Sequence, residues 1–88
     1  MIEPIEKKRI IVDLLEQVLS GELKPDEAIS RWPDAENESN PIYTNAWHNL
    51  YHFSVDTDIQ SKDPEYKEHQ ENLIRSNLSE IKAEEEPA

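Results

Sequence analysis

Apolar side chains recur at three- and four-residue spacing near the start of the chain. The positions that share this spacing are Ile10, Ile11, Leu14, Leu15, Val18 and Leu19. Projected at 100° per residue they fall on one broad face, which indicates an amphipathic helix. Pro4 suits a first helical turn, and Gly21 suits the left-handed position just past a helix end. The pattern predicts a helix over residues 4–20, placed at the centre of the fold because its apolar face is the broadest.

Three further helices are predicted to begin at prolines, namely Pro25, Pro41 and Pro64. A proline fits the first turn of a helix because its missing N–H would have no partner there. With Pro33 as a stop, these helices are predicted to span residues 25–32, 41–54 and 64–82. The segment 55–59 alternates apolar and polar residues. Since no partner strand is visible, we expect a helical continuation or an irregular turn there.

Together these segments predict an all-α fold, a compact bundle of about four helices with a short second helix. The 88 residues allow one domain, predicted over residues 1–83, and the acidic residues 84–88 are predicted to form a disordered tail. The chain has one glycine and no cysteine. A meander of β-hairpins and a disulfide framework are therefore both disfavoured, and we expect the core to depend on apolar packing.

The charge balance restricts the classes of partner. There are 20 acidic and 9 basic residues, and the formal net charge is -11. Such a chain is repelled by phosphate backbones and by anionic lipid, which disfavours nucleic-acid and membrane-surface binding. Neither a secretory signal nor a membrane-spanning apolar run is visible, so a cytoplasmic location is expected. A partner attracted by electrostatics would be basic.

No pattern of catalytic residues is visible. The chain has no cysteine nucleophile and no serine flanked by glycines, and with Gly21 as its single glycine it cannot form a glycine-rich phosphate loop. One small core also leaves little room for a cleft. We therefore expect a protein that is not an enzyme and that has no cofactor.

His48 and His52 are candidate metal ligands. They lie four residues apart in the predicted third helix, on the face opposite its apolar stripe. Two histidines with this spacing can supply two ligands to a metal ion, and Asp56, one turn further on, could supply a third. In the competing interpretation the histidines belong to a solvated polar face. A metal-binding or metal-responsive helical protein is thus one alternative function.

Tyr51, Asp63, Glu65 and Glu68 are candidate partner-binding residues. Tyr51 lies at the edge of the apolar stripe of the third helix, and exposed tyrosines are frequent in protein interfaces. The three acidic residues lie at the start of the last helix and could complement a basic surface. Acidic runs also serve simply as solvated faces, and aromatic residues as core. The favoured function is a non-catalytic protein-interaction module that binds a basic partner surface, with the oligomeric state left open.

Two stretches carry a resemblance to known proteins. Residues 19–28 with Arg31-Trp32-Pro33, and residues 46–53 with Asp58-Ile59 and residues 63–66, are similar to segments of short, acidic, helical bacterial proteins of uncharacterised function. That resemblance covers most of the chain and implies no activity. A looser likeness, in size, charge and helical content, is to bacteriocin immunity proteins. The tyrosine pair that those inhibitors use for binding is absent here. An inhibitor or immunity-like role is a further alternative.

Overall fold

The computed structural model describes residues 4–33 and 38–83. These residues form five helices and no strand, and the predicted all-α fold is confirmed. The helices are α1 (Pro4–Ser20), α2 (Pro25–Ser30), α3 (Pro41–Val55), α4 (Thr57–Lys62) and α5 (Pro64–Ala83). The predicted disordered tail, residues 84–88, lies outside the described residues. Over the described ranges, no helix combines the length and the apolar character needed to cross a bilayer.

Local sequence features explain where the long helices begin and end. α1 ends before Gly21, whose positive φ of 83° lets its N–H donate to the carbonyl of Val18 at 3.2 Å. That conformation is easily adopted by glycine alone, so Gly21 terminates the helix as predicted. At the start of α3, the Asn40 side chain accepts a hydrogen bond from the Ile42 N–H at 3.0 Å, ahead of Pro41. The predicted boundaries of α1, α3 and α5 are therefore correct to within one residue.

The structure refines two details of the predicted helices. α2 ends at Ser30, two residues earlier than predicted, and Trp32 lies beyond the helix although it is still buried. The segment after α3 forms a separate short helix, α4, so the described residues form five helices where about four were predicted. Asp56 ends α3 and precedes α4, and its carboxylate accepts hydrogen bonds from α5 instead of capping α4. These bonds fix Asp56 at the junction of α3 and α4, in the segment for which a helical continuation or an irregular turn was predicted.

The core draws side chains from α1, α2, α3, α5 and the segments flanking α2. Its buried apolar members are Ile11, Leu14, Leu15, Val18, Leu23, Ala28, Trp32, Tyr43, Ala46, Leu50, Phe53, Ile74 and Ile81. The most extensive helix packing is between α3 and α5, and α1 packs on α5 as well. The expectation that α1 is central is therefore wrong. α5 takes this place although Gln70 and Asn77 are among its buried residues, because both side-chain amides have hydrogen-bond partners there.

A largely buried ion pair joins the start of α1 to the segment before α3. Lys7 Nζ contacts the carboxylate of Glu38, whose side chain is only 7% exposed. The second carboxylate oxygen of Glu38 accepts the Asn40 N–H at 2.9 Å. Lys7 Nζ also lies 5.4 Å from the centroid of the Tyr43 ring. These contacts position the first turn of α3 against α1.

Candidate functional site

The outer face of α3 is unusual for a chain in which 33% of the residues are charged. The 15 residues of α3 include no Asp, Glu, Lys or Arg, whereas each of the other described helices includes several charged residues. We define the outer face of α3 by its solvent-exposed residues beyond the first turn, which are Asn45, His48, Tyr51, His52 and Val55. A helix face in contact with water is usually charged. The uncharged character of this one therefore marks it as a candidate binding surface.

Three rings of this face and the half-buried ring of Trp47 form a continuous series, here called the ring ladder: Trp47, His48, Tyr51 and His52. Trp47 and Tyr51 are stacked, with centroids 5.4 Å apart and planes at 7°. His48 meets Trp47 edge-on at 5.5 Å, and His52 meets Tyr51 edge-on at 5.9 Å. Trp47 is half-buried against the core, while Tyr51 remains 42% exposed. The ladder is thus anchored on the core and open to solvent at Tyr51.

A groove between α3 and α5 continues this surface. Its volume is about 350 Å³. The residues that line it are Asn49, His52, Tyr66, His69, Gln70 and Leu73. His52 belongs both to the ring ladder and to the groove, and Leu73 is a further exposed apolar side chain, at 39%. The ladder and the groove therefore form one surface across two helices.

Hydrogen bonds to Asp56 hold the α5 wall of the groove. Asp56 Oδ2 accepts the Tyr66 hydroxyl at 2.8 Å and Gln70 Nε2 at 3.1 Å. The hydrogen bond to Asp56 raises the pKa of the Tyr66 phenol, and desolvation and the negative charge of Asp56 add to this rise. Gln70 Oε1 in turn accepts Gln60 Nε2 at 2.7 Å. Tyr66 and Gln70 of α5 are therefore fixed by partners on two other elements, Asp56 in the junction before α4 and Gln60 on α4.

A second polar contact holds α3 to α5 near the groove. The side-chain amide of Asn49 donates to the amide oxygen of Asn77, and Asn77 is 6% exposed. A buried amide is costly without a partner. The pair therefore favours one registration of α3 along α5 and keeps Asn49 in the groove wall.

The three candidate metal ligands are not brought together. His48 and His52 are both exposed on the outer face of α3, while the Asp56 carboxylate is hydrogen-bonded to Tyr66 and Gln70. Over residues 4–33 and 38–83, no group of three or more His, Cys, Asp or Glu side chains could hold a metal ion. A metal site that uses the two histidines alone stays a prediction.

The candidate partner-binding residues lie on two different elements. Tyr51 belongs to the ring ladder, as described above. Asp63 Oδ1 instead accepts the backbone N–H groups of Glu65, at 3.1 Å, and Tyr66, at 3.3 Å, and so caps α5. Glu65 and Glu68 are exposed on the first turns of α5. Asp63 therefore has a structural role, whatever else it does.

Several residues of this surface were missed by sequence reasoning. The α5 wall residues Tyr66, His69, Gln70 and Leu73 follow the spacing of one helix face. That spacing is enough to place the four residues on one face of a helix. It does not reveal that this face lies beside α3, because that depends on tertiary packing. Trp47 packs against the core and also stacks on Tyr51, a contact that residue spacing does not reveal.

Known proteins do not supply an interpretation of this surface. Comparisons of the chain with protein-family models, with curated proteins and with solved structures gave no match. The resemblances to short bacterial proteins and to immunity proteins stay predictions. The functional argument therefore depends on the outer face of α3 and the groove beside it.

Proposed function

We propose that this chain is a non-catalytic protein-interaction module of the bacterial cytoplasm that binds a basic partner through the outer face of α3. The observation that carries the proposal is a ring ladder, open to solvent at Tyr51, on a helix without Asp, Glu, Lys or Arg, in a chain of net charge -11. The centres of protein interfaces are depleted of charged residues and enriched in Tyr and Trp, while their rims are polar. The outer face of α3 has this composition.

The net charge of the chain supports a basic partner. It is -11, and the exposed carboxylates on the helices next to α3 include Asp58 on α4 and Glu65 and Glu68 on α5. A net negative charge attracts a basic surface and repels an acidic one. Because the attraction acts through solvent, it is weakened by added salt.

Peptide binding to the full chain tests the proposal. The probe is a fluorescent amphipathic peptide of Lys, Arg and Leu, and a Glu and Leu peptide of equal length is its control. The basic peptide is expected to bind, more weakly at 300 mM than at 50 mM salt, whereas the acidic peptide is not. Tyr51→Ala should weaken binding by roughly tenfold or more, as expected for an interface tyrosine.

Ile5→Ala is the matched control variant. Ile5 is 44% exposed, close to the 42% of Tyr51, but it lies on α1. Binding should be unchanged by this substitution. An equal loss of binding in Ile5→Ala and Tyr51→Ala, or binding that is independent of salt, would contradict the proposal.

A further inference from the structure

We infer that the partner segment presents an arginine side chain that stacks on the Trp47–Tyr51 pair. The inference rests on the proposed function and names the chemical group that the ring ladder recognises. Lysine carries the same charge, so a preference for arginine is a property of the rings and not of net charge.

Three aromatic residues at four-residue spacing run along α3: Tyr43, Trp47 and Tyr51. The chain's own cation lies over the first ring, with Lys7 Nζ 5.4 Å from the Tyr43 centroid. Within residues 4–33 and 38–83, no Lys or Arg lies over Trp47 or Tyr51. The row is therefore covered by a cation at its buried end, and its exposed end at Tyr51 is open to a cation from a partner.

The geometry of the pair suits a guanidinium group. Trp47 and Tyr51 stack with their planes at 7° and their centroids 5.4 Å apart, so Trp47 supports one face of the Tyr51 ring. The Tyr51 ring is 42% exposed and offers a flat, electron-rich surface to a partner. A guanidinium is planar and weakly hydrated, so it can lie over such a surface while its N–H groups still reach acceptors. A lysine ammonium is compact and strongly hydrated, and it loses more hydration on approaching a ring. Arginine is therefore the cation that this pair favours.

The size of the outer face of α3 favours a short segment over a second copy of the chain. A helix of 15 residues is about 22 Å long and about 10 Å wide, so one face offers on the order of 200 Å². A stable interface needs about 800 Å² from each partner. A second copy would also carry a net charge of -11, which opposes self-association.

Three nine-residue peptides that differ at three positions test the inference on the full chain. One has arginine at these positions, one lysine, and one citrulline, which has the planar shape of arginine without its charge. Dissociation constants come from amide-resolved NMR titrations. The arginine peptide is expected to bind about two- to fivefold more tightly than the lysine peptide, as a surface cation–π contact implies, and citrulline should bind least.

Two substitutions locate the preference on the ring ladder. Tyr51→Ala should abolish the difference between the arginine and lysine peptides, because the exposed ring is gone. Tyr51→Phe should retain it, because the ring face remains. Both variants replace an exposed residue, and circular dichroism confirms that each one folds.

The other possible results of these experiments would overturn different parts of the proposal. Equal affinity for arginine and lysine, both above citrulline, would overturn the arginine preference and leave the proposal of a basic partner standing. Binding of the charged peptides no tighter than citrulline would overturn both. A preference for arginine that survives Tyr51→Ala would overturn its assignment to the ring ladder. Sedimentation of a dimer that Tyr51→Ala dissociates would make a second copy the occupant, which also overturns the inference.

Discussion

α1 and α3 contribute similarly to the core and differently to the surface. Each buries four side chains: α1 buries Ile11, Leu14, Leu15 and Val18, and α3 buries Tyr43, Ala46, Leu50 and Phe53. Six of the 17 residues of α1 are charged, whereas α3 has none among 15. Core packing requires apolar side chains at the inward positions of both helices, and it does not restrict the residues at their outward positions. Under the proposed function, the difference between the outer faces reflects a binding role of α3 in addition to its role in the core.

Exposed apolar residues by themselves do not distinguish the two helices. α1 also exposes Ile5, at 44%, and Ile10, at 37%. These two residues share their surface with Lys8 and Arg9, and scattered exposed apolar side chains are normal. What distinguishes α3 is that its rings touch one another in a series without charged residues between them.

The largest expected effect is the loss of stability when a buried leucine of α1 or α3 is replaced, which tests whether both helices contribute to the core. Leu15 on α1 and Leu50 on α3 are both fully buried. Leu15→Ala and Leu50→Ala should each lower the free energy of unfolding by about 2–5 kcal/mol, because each removes buried apolar volume. Urea unfolding measures both. A variant that unfolds like the parent would show that its helix does not form part of the core.

The next largest effect concerns the polar contacts that join α3 and α1 to α5. Asn77→Ala leaves the Asn49 amide without its partner and should lower the free energy of unfolding by about 1–3 kcal/mol. Lys82→Ala removes the exposed pair with Glu16, 3.2 Å long, and should cost less than about 1 kcal/mol. Thermal or urea unfolding of the two variants provides the comparison. If Lys82→Ala were the more destabilising, the Asn49–Asn77 hydrogen bond would not be what fixes the position of α3 along α5.

A pH-dependent effect tests the contact that holds the α5 wall of the groove. The pKa of Tyr66 is raised above 10.0 by its hydrogen bond to Asp56, so the folded state retains this proton more strongly than the unfolded state. The resulting stabilisation is present below about pH 10 and is lost as the pH rises through the folded-state pKa. Melting temperatures measured from pH 8 to 11 should fall more steeply for the parent than for Tyr66→Phe. Parallel curves would contradict the role of this bond.

The smallest expected effect on stability is that of Tyr51→Ala. Because Tyr51 is on the outer face of α3 and 42% exposed, the free energy of unfolding should change by less than about 1 kcal/mol. Urea unfolding measures this change, and the peptide titrations measure binding. Leu50→Ala should therefore lower stability, whereas Tyr51→Ala, at the next residue, should weaken peptide binding with little change in stability. A large loss of stability in Tyr51→Ala would show that the ring ladder is structural.

Much of the fold could be predicted because its determinants are local. Prolines at helix starts and the single glycine after α1 act within a few residues of themselves, so the sequence reveals them directly. The separate helix α4 and the central position of α5 depend on contacts between distant residues, such as Tyr66 with Asp56 and Asn49 with Asn77. No helical spacing encodes those contacts.

The candidate site was predictable to a similar degree. Four-residue spacing placed His48 and His52 on an exposed face, and the structure agrees. The stacking of Tyr51 on Trp47 depends on side-chain rotamers, and the presence of His52 and His69 in one groove depends on how α3 and α5 pack. Sequence spacing determines neither of these.

The most direct test of the central claim is a residue-by-residue map of where a basic segment binds. The backbone amides of the full chain are followed by NMR as the arginine peptide is added. The account predicts that the largest shifts fall on Asn45, His48, Tyr51, His52 and Val55, with small changes along the outward residues of α1. Shifts concentrated on α1, or spread evenly over the acidic residues of α5, would contradict a docking surface on the outer face of α3.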